Sequence, residues 1–296
     1  MSALKRQLLS RIEFLTSDKL REKIDNWIIS LAIAGFLIHL GLIFAANLGW
    51  IEGKFISNQF FADPISAIYT PFSFILIYEV YLLVYFLSRS ITDYIGKQYE
   101  VISLIVIRRI FKDISKLELE GDWLSVPYNQ QFIGDCLGIL AIFALIFVFK
   151  NLYKARSSEL EGTKLENFIL SKRLTSNLLI IVLIGLAIFS VVGWIREVFL
   201  YHHGLIDALS DVNGIFYHEF FTILILVDVL LLLISFRYTE NYNALIRNSG
   251  FVISTIMIKV SFNTTGIVNV ILICSAIAFG VIILWIYNQY EKRNYV

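Results

Sequence analysis

Four ionisable side chains sit in stretches too apolar to tolerate them alone: Glu79 in YEVYLL (Tyr78–Leu83), Arg108 in VISLIVIRRIF (Val101–Phe111), Asp228 in VDVLLL (Val227–Leu232) and Lys259 in VISTIMIKVSF (Val252–Phe262). At the centre of a spanning helix a Lys or Arg costs about 2.5–3.5 kcal/mol on insertion scales, so it needs an acid partner or a polar path. Acid and base at one depth can do either of two things. They can lock helix register as a buried pair, or they can line a route for an ion or a proton. Arg109 and Lys112, with Glu100 and Asp113, add more charge to the first basic stretch than one pair requires.

The stretches echo one another. VISLIVIRRIF matches VISTIMIKVSF at six of eleven positions and sets Arg108 on Lys259; YEVYLL sets Glu79 on Asp228; CLGI at Cys136–Ile139 sets Cys136 on Cys274 of CSAI. Acid, base and cysteine recur in the same order. That order reads as a tandem duplication.

Whole-chain composition dictates what must position these groups. The 296 residues are 57% hydrophobic and 17% charged, with a mean hydropathy of +0.72, whereas soluble domains run at about 45–50% apolar and about 25% charged. An all-α integral membrane protein is expected. Six unbroken apolar runs are long enough to cross a core that needs about 20 helical residues: Trp27–Leu48, Ile65–Leu87, Phe132–Phe149, Leu174–Ile195, Phe220–Phe236 and Gly266–Tyr287. None shows the period-2 alternation of a barrel strand. The charged arm before Trp27 and the span-length run after it read as an uncleaved first helix rather than a signal peptide.

Whether residues 95–117 and 244–262 also cross decides between eight spans and six with two amphipathic surface segments. With eight, the segments expected on the cytoplasmic side hold eighteen Lys and Arg, and the external loops hold only Lys54. With six, the basic stretch Lys150–Arg173 would lie outside, against the positive-inside rule. Eight spans in two parallel four-helix repeats are therefore expected. The repeats occupy residues 27–150 and 174–290, after a cytoplasmic amphipathic arm (1–26), joined by an amphipathic cytoplasmic linker (151–173) and followed by a tail (291–296). Both termini then face the cytoplasm in a multi-pass protein of the cell membrane. At about 1.5 Å rise per residue, Glu79 and Arg108, like Asp228 and Lys259, fall within one helical turn of each other in depth.

Other stretches suggest different chemistry. The external His202–Phe220 loop gathers His202, His203, Asp207, Asp211, His218 and Glu219, all side chains that ligate divalent metals, but in neither H-E-x-x-H nor EF-hand spacing. A solvated loop explains it as readily. His39 has no second intramembrane histidine to form an axial haem pair, so it reads as a hydrogen-bonded core residue. GDCLG at Gly134–Gly138 has the small-xxx-small spacing of a close helix crossing. A voltage sensor would present several bases along one face, and Arg108, Arg109 and Lys112 do not. No P-loop, nucleophile elbow or soluble domain between spans is present, and a formal net charge of +1 gives no pull toward nucleic acid.

The expected function is a channel or transporter for a small ion or solute, not an enzyme and with no cofactor, whose polar centre is Glu79, Arg108, Asp228 and Lys259 on a path between the repeats. Its partners would be the lipid bilayer, the ion or solute, and a second copy or a separate cytoplasmic protein. Two other classes fit the same residues: a non-transporting subunit or scaffold held by buried charge pairs, and a membrane enzyme using the external His/Asp set.

Overall fold

A computed structural model of the chain describes residues 17–50, 64–87, 90–114, 117, 123, 125–153, 162–202, 212–238, 241–264 and 266–293. Eight α-helices run through them: α1 Asp18–Asn47, α2 Tyr69–Leu87, α3 Ile91–Ile114, α4 Pro127–Leu152, α5 Gly162–His202, α6 Val212–Tyr238, α7 Tyr242–Ser261 and α8 Gly266–Arg293. A short 3-10 turn, Pro64–Ile68, leads into α2. No strand occurs among the described residues.

Among the described residues five helices, α1, α2, α4, α6 and α8, are long and apolar enough to cross a membrane, and together they fit a multi-pass membrane protein. Their surfaces agree. Trp27, Ile33 and Leu37 on α1 and Ile271 and Ile282 on α8 are more than half exposed, a continuous apolar exterior that suits hydrocarbon and not water.

Helix boundaries follow local chemistry. Ser17 caps α1 by accepting from the Leu20 N–H at 3.3 Å, and Asp18 complements the helix dipole. α1 therefore begins nine residues before Trp27, and the last part of the charged arm belongs to the first helix. α5 likewise starts at Gly162, so the second half of the 151–173 linker continues into the fourth apolar run. Residues 1–16 of the arm and 154–161 of the linker lie outside the described residues. Asn241 caps α7, its Oδ1 accepting from the Asn243 and Ala244 N–H groups at 3.0 and 3.2 Å.

The chain divides into two compact units. One takes residues 1–82, 104–133 and 187–216, and the other residues 83–103, 134–186 and 217–296.

In the first unit α1 meets α2. A Cβ on Gly35 would lie 2.8 Å from the Phe74 ring, and His39 Nδ1 sits 2.6 Å from Thr70 Oγ1. His39 is thus the hydrogen-bonded core residue its sequence context implies.

In the second unit α7 and α8 form a tight hairpin. Gly266, at φ +68°, supplies the left-handed turn that other residues resist, and Asn269 Nδ2 donates to the Ser261 carbonyl at 2.6 Å. Small residues bring helices together throughout this unit. Gly250 faces Ile283, Gly134 faces Ile267, and a Cβ on Gly138 would overlap Val270. The GDCLG stretch does mark a close crossing, of α4 on α8, and Cys274 Sγ reaches the Gly138 carbonyl at 3.8 Å.

Of the two amphipathic helices, α7 is turned polar side inward and α3 is enclosed on most sides. On α7, Asn248, Ser254, Thr255 and Ser261 are buried while Ile246, Ile253, Ile256 and Val260 are exposed; on α3, Thr92, Gln98, Ser103 and Arg108 are buried together with Tyr94, Ile95, Tyr99, Val101, Ile102 and Val106. A helix lying on headgroups has the opposite arrangement, with charged and polar residues toward water.

Candidate functional site

Asp228 lies in the middle of α6, a helix otherwise apolar around it, and is 4% exposed. Gln98 of α3 gives a hydrogen bond from Nε2 to Oδ2 at 3.1 Å, and the hydroxyls of Tyr94 and Thr255 stand close to the carboxylate. Oδ1 is buried with no hydrogen-bond partner, and so is the hydroxyl of Tyr94. Tyr94 precedes Gln98 by four residues, so both occupy one face of α3.

Two small cavities share Asp228 as a wall. The first, about 20 Å³, is lined by Tyr94, Lys172, Asp228 and Asn248 among apolar neighbours. The second, about 10 Å³, is lined by Gln98, Asp228, Thr255 and apolar side chains of α3, α6 and α7. Each is near the size of one water molecule, which needs roughly 10–15 Å³ and two or more polar partners.

The cavities follow one another along the helices. Leu231 and Leu232 of α6, Asn248 of α7 and Ile91 of α3 border the first. Phe221 and Leu224 of α6, Ile258 of α7 and Ile102 of α3 border the second. Along all three helices the order is cavity, Asp228, cavity.

Lys172, 4% exposed, stands on α5 just ahead of the apolar run that begins at Leu174. Burial lowers its amine from the ordinary 10.5 to about 8; the Asp93 carboxylate opposes that shift and Arg247 adds to it. The same part of α5 is pinned by Ser176 Oγ, which donates to the Val84 carbonyl at 3.1 Å. Arg247 lies over the Tyr287 ring at 4.4 Å and donates to Asn248 Oδ1 from Nε at 3.2 Å and Nη2 at 3.1 Å. The carbonyl end of Asn248 is therefore already engaged at the cavity wall.

Two further polar sets hold the unit. The Tyr99 hydroxyl bonds to Ser254 Oγ at 2.8 Å, and Ser254 spends its own proton on the Ala276 carbonyl at 2.7 Å, so Tyr99 is the donor. Glu100 pairs with Lys97 at 2.9 Å and with Lys150, in the last turn of α4, at 2.5 Å.

The charged residues expected from the sequence are distributed as follows. Asp228 takes its hydrogen bond from Gln98 and not from Lys259; it borders Val252 and Thr255 of α7, about one helical turn short of Lys259. The carboxylate acting on Lys259 is that of Glu219. Glu79 is half-buried on α2 beside Tyr78, whose hydroxyl faces Asp25 and Arg21 of α1. Arg108 is buried on α3 and Arg109 half-exposed, and the stacking of Phe72 on Phe111 at 4.6 Å ties α2 to this part of α3. The side chain of Lys112 lies outside the described residues.

Of the external metal-ligand set, His203, Asp207, Asp211 and the side chains of His202 and His218 also lie outside them, and Glu219 is exposed. Among the described residues no three His, Cys, Asp or Glu side chains converge to hold a metal.

Tyr94, Gln98, Lys172 and Asn248 are the residues that sequence reasoning missed. Tyr94 and Gln98 sit at ordinary positions ahead of VISLIVIRRIF, and Lys172 hides in a linker full of lysines. The available signal was the polar run Ser171, Lys172, Arg173, Thr175, Ser176 and Asn177 at the mouth of an apolar helix.

No family model, curated protein or solved structure matches the chain.

Proposed function

We propose that the protein moves a small ion across the membrane, with Asp228 as its intramembrane binding group. The observation that carries this reading is the position of Asp228: a buried carboxylate on an apolar helix, one oxygen without a protein donor, separating two water-sized cavities arranged in series. A carboxylate kept only for packing would be expected to have both oxygens bonded, because an unsatisfied buried polar atom costs about 1–3 kcal/mol. The walls of the two cavities, with Tyr94, Lys172 and Asn248 on one side and Gln98 and Thr255 on the other, give the polar lining that an ion path needs.

The finer topology belongs to the same proposal. Eight crossings in two repeats are favoured by the inward polar face of α7, by the burial of α3 and by the distribution of Lys and Arg. Internal duplication with polar groups near the midplane is a recurrent transporter layout, and analogy of layout does not by itself establish function. The path is placed within the second compact unit, around Asp228. Glu79, Arg108 and Lys259 are supporting charges in this reading.

The competing class is a scaffold whose charges only set packing. Purified protein in liposomes, tested for flux of several ions, separates the two. Transport predicts flux that Asp228→Asn removes while the protein stays folded. A scaffold predicts no flux above that of empty liposomes.

A further inference from the structure

We propose that the ion taken at Asp228 is the proton, exchanged with water in the two cavities, and not an alkali cation. The inference rests on the reading of the chain as an ion carrier and narrows its substrate.

Three features of the site support it. The first is ligand supply: a dehydrated alkali cation needs a full shell of oxygens. Among the residues lining the first cavity, two carry oxygens without a hydrogen-bond partner, Asp228 at Oδ1 and Tyr94 at its hydroxyl. Asn248 Oδ1 is engaged by Arg247. On the other side of Asp228, Gln98 presents its Nε2 donor to the carboxylate, and the Thr255 hydroxyl, which donates to the Val252 carbonyl at 2.9 Å, adds one further oxygen, which still leaves the shell short. The second feature is charge: Lys172 lines the same cavity as Asp228 and Tyr94, so an entering metal cation meets an ammonium. The third is size: cavities of about 20 and 10 Å³ hold about one water each, with no room for an ion that keeps its hydration.

A proton meets none of these obstacles. A hydronium ion at one cavity gives up its proton, an O–H bond forms at Asp228 Oδ1, and a water is left behind. The new O–H has the Tyr94 oxygen beside it as an acceptor. Release is the reverse transfer, to water in the other cavity. The groups around Asp228 are Tyr94 and Gln98 from α3, Lys172 from α5, and Asn248 and Thr255 from α7, while α2 contributes only Leu87. Asp93 and Arg247 act on Lys172 in turn.

The test uses the full chain in liposomes with a trapped pH dye and an imposed potassium diffusion potential, alongside sodium and potassium flux on the same preparation. Infrared difference spectra across pH then follow the carbonyl band of a protonated carboxyl group. The expected result is proton flux that falls to the level of empty liposomes in Asp228→Asn and persists in Asp228→Glu. A pH-dependent carboxyl band should also be present, lost in Asp228→Asn and unmoved by saturating sodium or potassium. Should Asp228→Asn fail to fold, the infrared response of the unaltered protein to the two cations still decides the point. Asp228-dependent sodium or potassium flux, a band that either cation displaces, or no titrating band would overturn the proton assignment and leave the ion-carrier reading in place. Absence of flux for every ion would overturn that reading, and the assignment with it.

Discussion

Ser254 offers the sharpest test of how α7 is placed. Its hydroxyl accepts from Tyr99 of α3 at 2.8 Å and donates to the Ala276 carbonyl of α8 at 2.7 Å, and it is fully buried beside Gly280, where a Cβ would overlap the Tyr99 hydroxyl. Ser254→Ala removes both bonds. The Tyr99 hydroxyl is then left buried without an acceptor, a cost of about 1–3 kcal/mol, and loss of the bond to Ala276 adds about 0.5–1.5 kcal/mol. The expected loss is therefore about 1.5–4.5 kcal/mol, measured by reversible unfolding in mixed detergent. Removing both partners of a buried pair is far milder than removing one, so Tyr99→Phe combined with Ser254→Ala should recover at least about 1 kcal/mol in a double-mutant cycle. If α7 lay on the membrane surface, water would replace the lost partners. A Ser254→Ala cost below about 0.5 kcal/mol, or strictly additive single effects, would refute the buried placement.

Other substitutions probe separate parts of the structure. Gly138→Leu forces α4 away from Val270 on α8 and should lower stability by about 1–3 kcal/mol or more through overpacking, measured by the same unfolding assay; a neutral effect would contradict the crossing. Lys150→Ala removes the exposed end of the Glu100 pair and should change stability by less than about 1 kcal/mol. With Cys136 and Cys274 replaced, a thiol at Ser125 should react only with reagent added outside and one at Tyr242 only from the cytoplasmic side; the reverse pattern would contradict eight crossings. The Lys172 amine sits at about 8 in the folded protein against 10.5 ordinarily, so the unfolded chain holds more protons between those values. Stability should accordingly rise as pH rises from about 8 to about 10.5, and Lys172→Met should flatten that rise.

The helical, multi-pass character was legible in the sequence because hydrophobic continuity is a property of the chain itself. The apolar runs appear as helices, the GDCLG spacing appears as the Gly138–Val270 contact, and His39 is satisfied by Thr70. That Asp228 needs polar company was also visible, since an acid in VDVLLL has no cheap explanation. Its surroundings were not. Depth reckoned from helix rise set Asp228 level with Lys259, but rise alone gives neither the stagger between helices nor the direction each side chain takes. Gln98 occupies that position from a different helix, 130 residues away in sequence. Lys172 was masked for a related reason. A lysine one turn before an apolar run looks like a loop charge until folding brings α3, α6 and α7 around it.

The most direct test of the account is flux of protons, sodium, potassium and chloride into liposomes containing the purified protein, measured for the unaltered chain and for Asp228→Asn verified as folded. The account predicts proton flux that disappears with the carboxylate and no Asp228-dependent flux of the other ions. Equal proton flux in both proteins, or none in either, would contradict it.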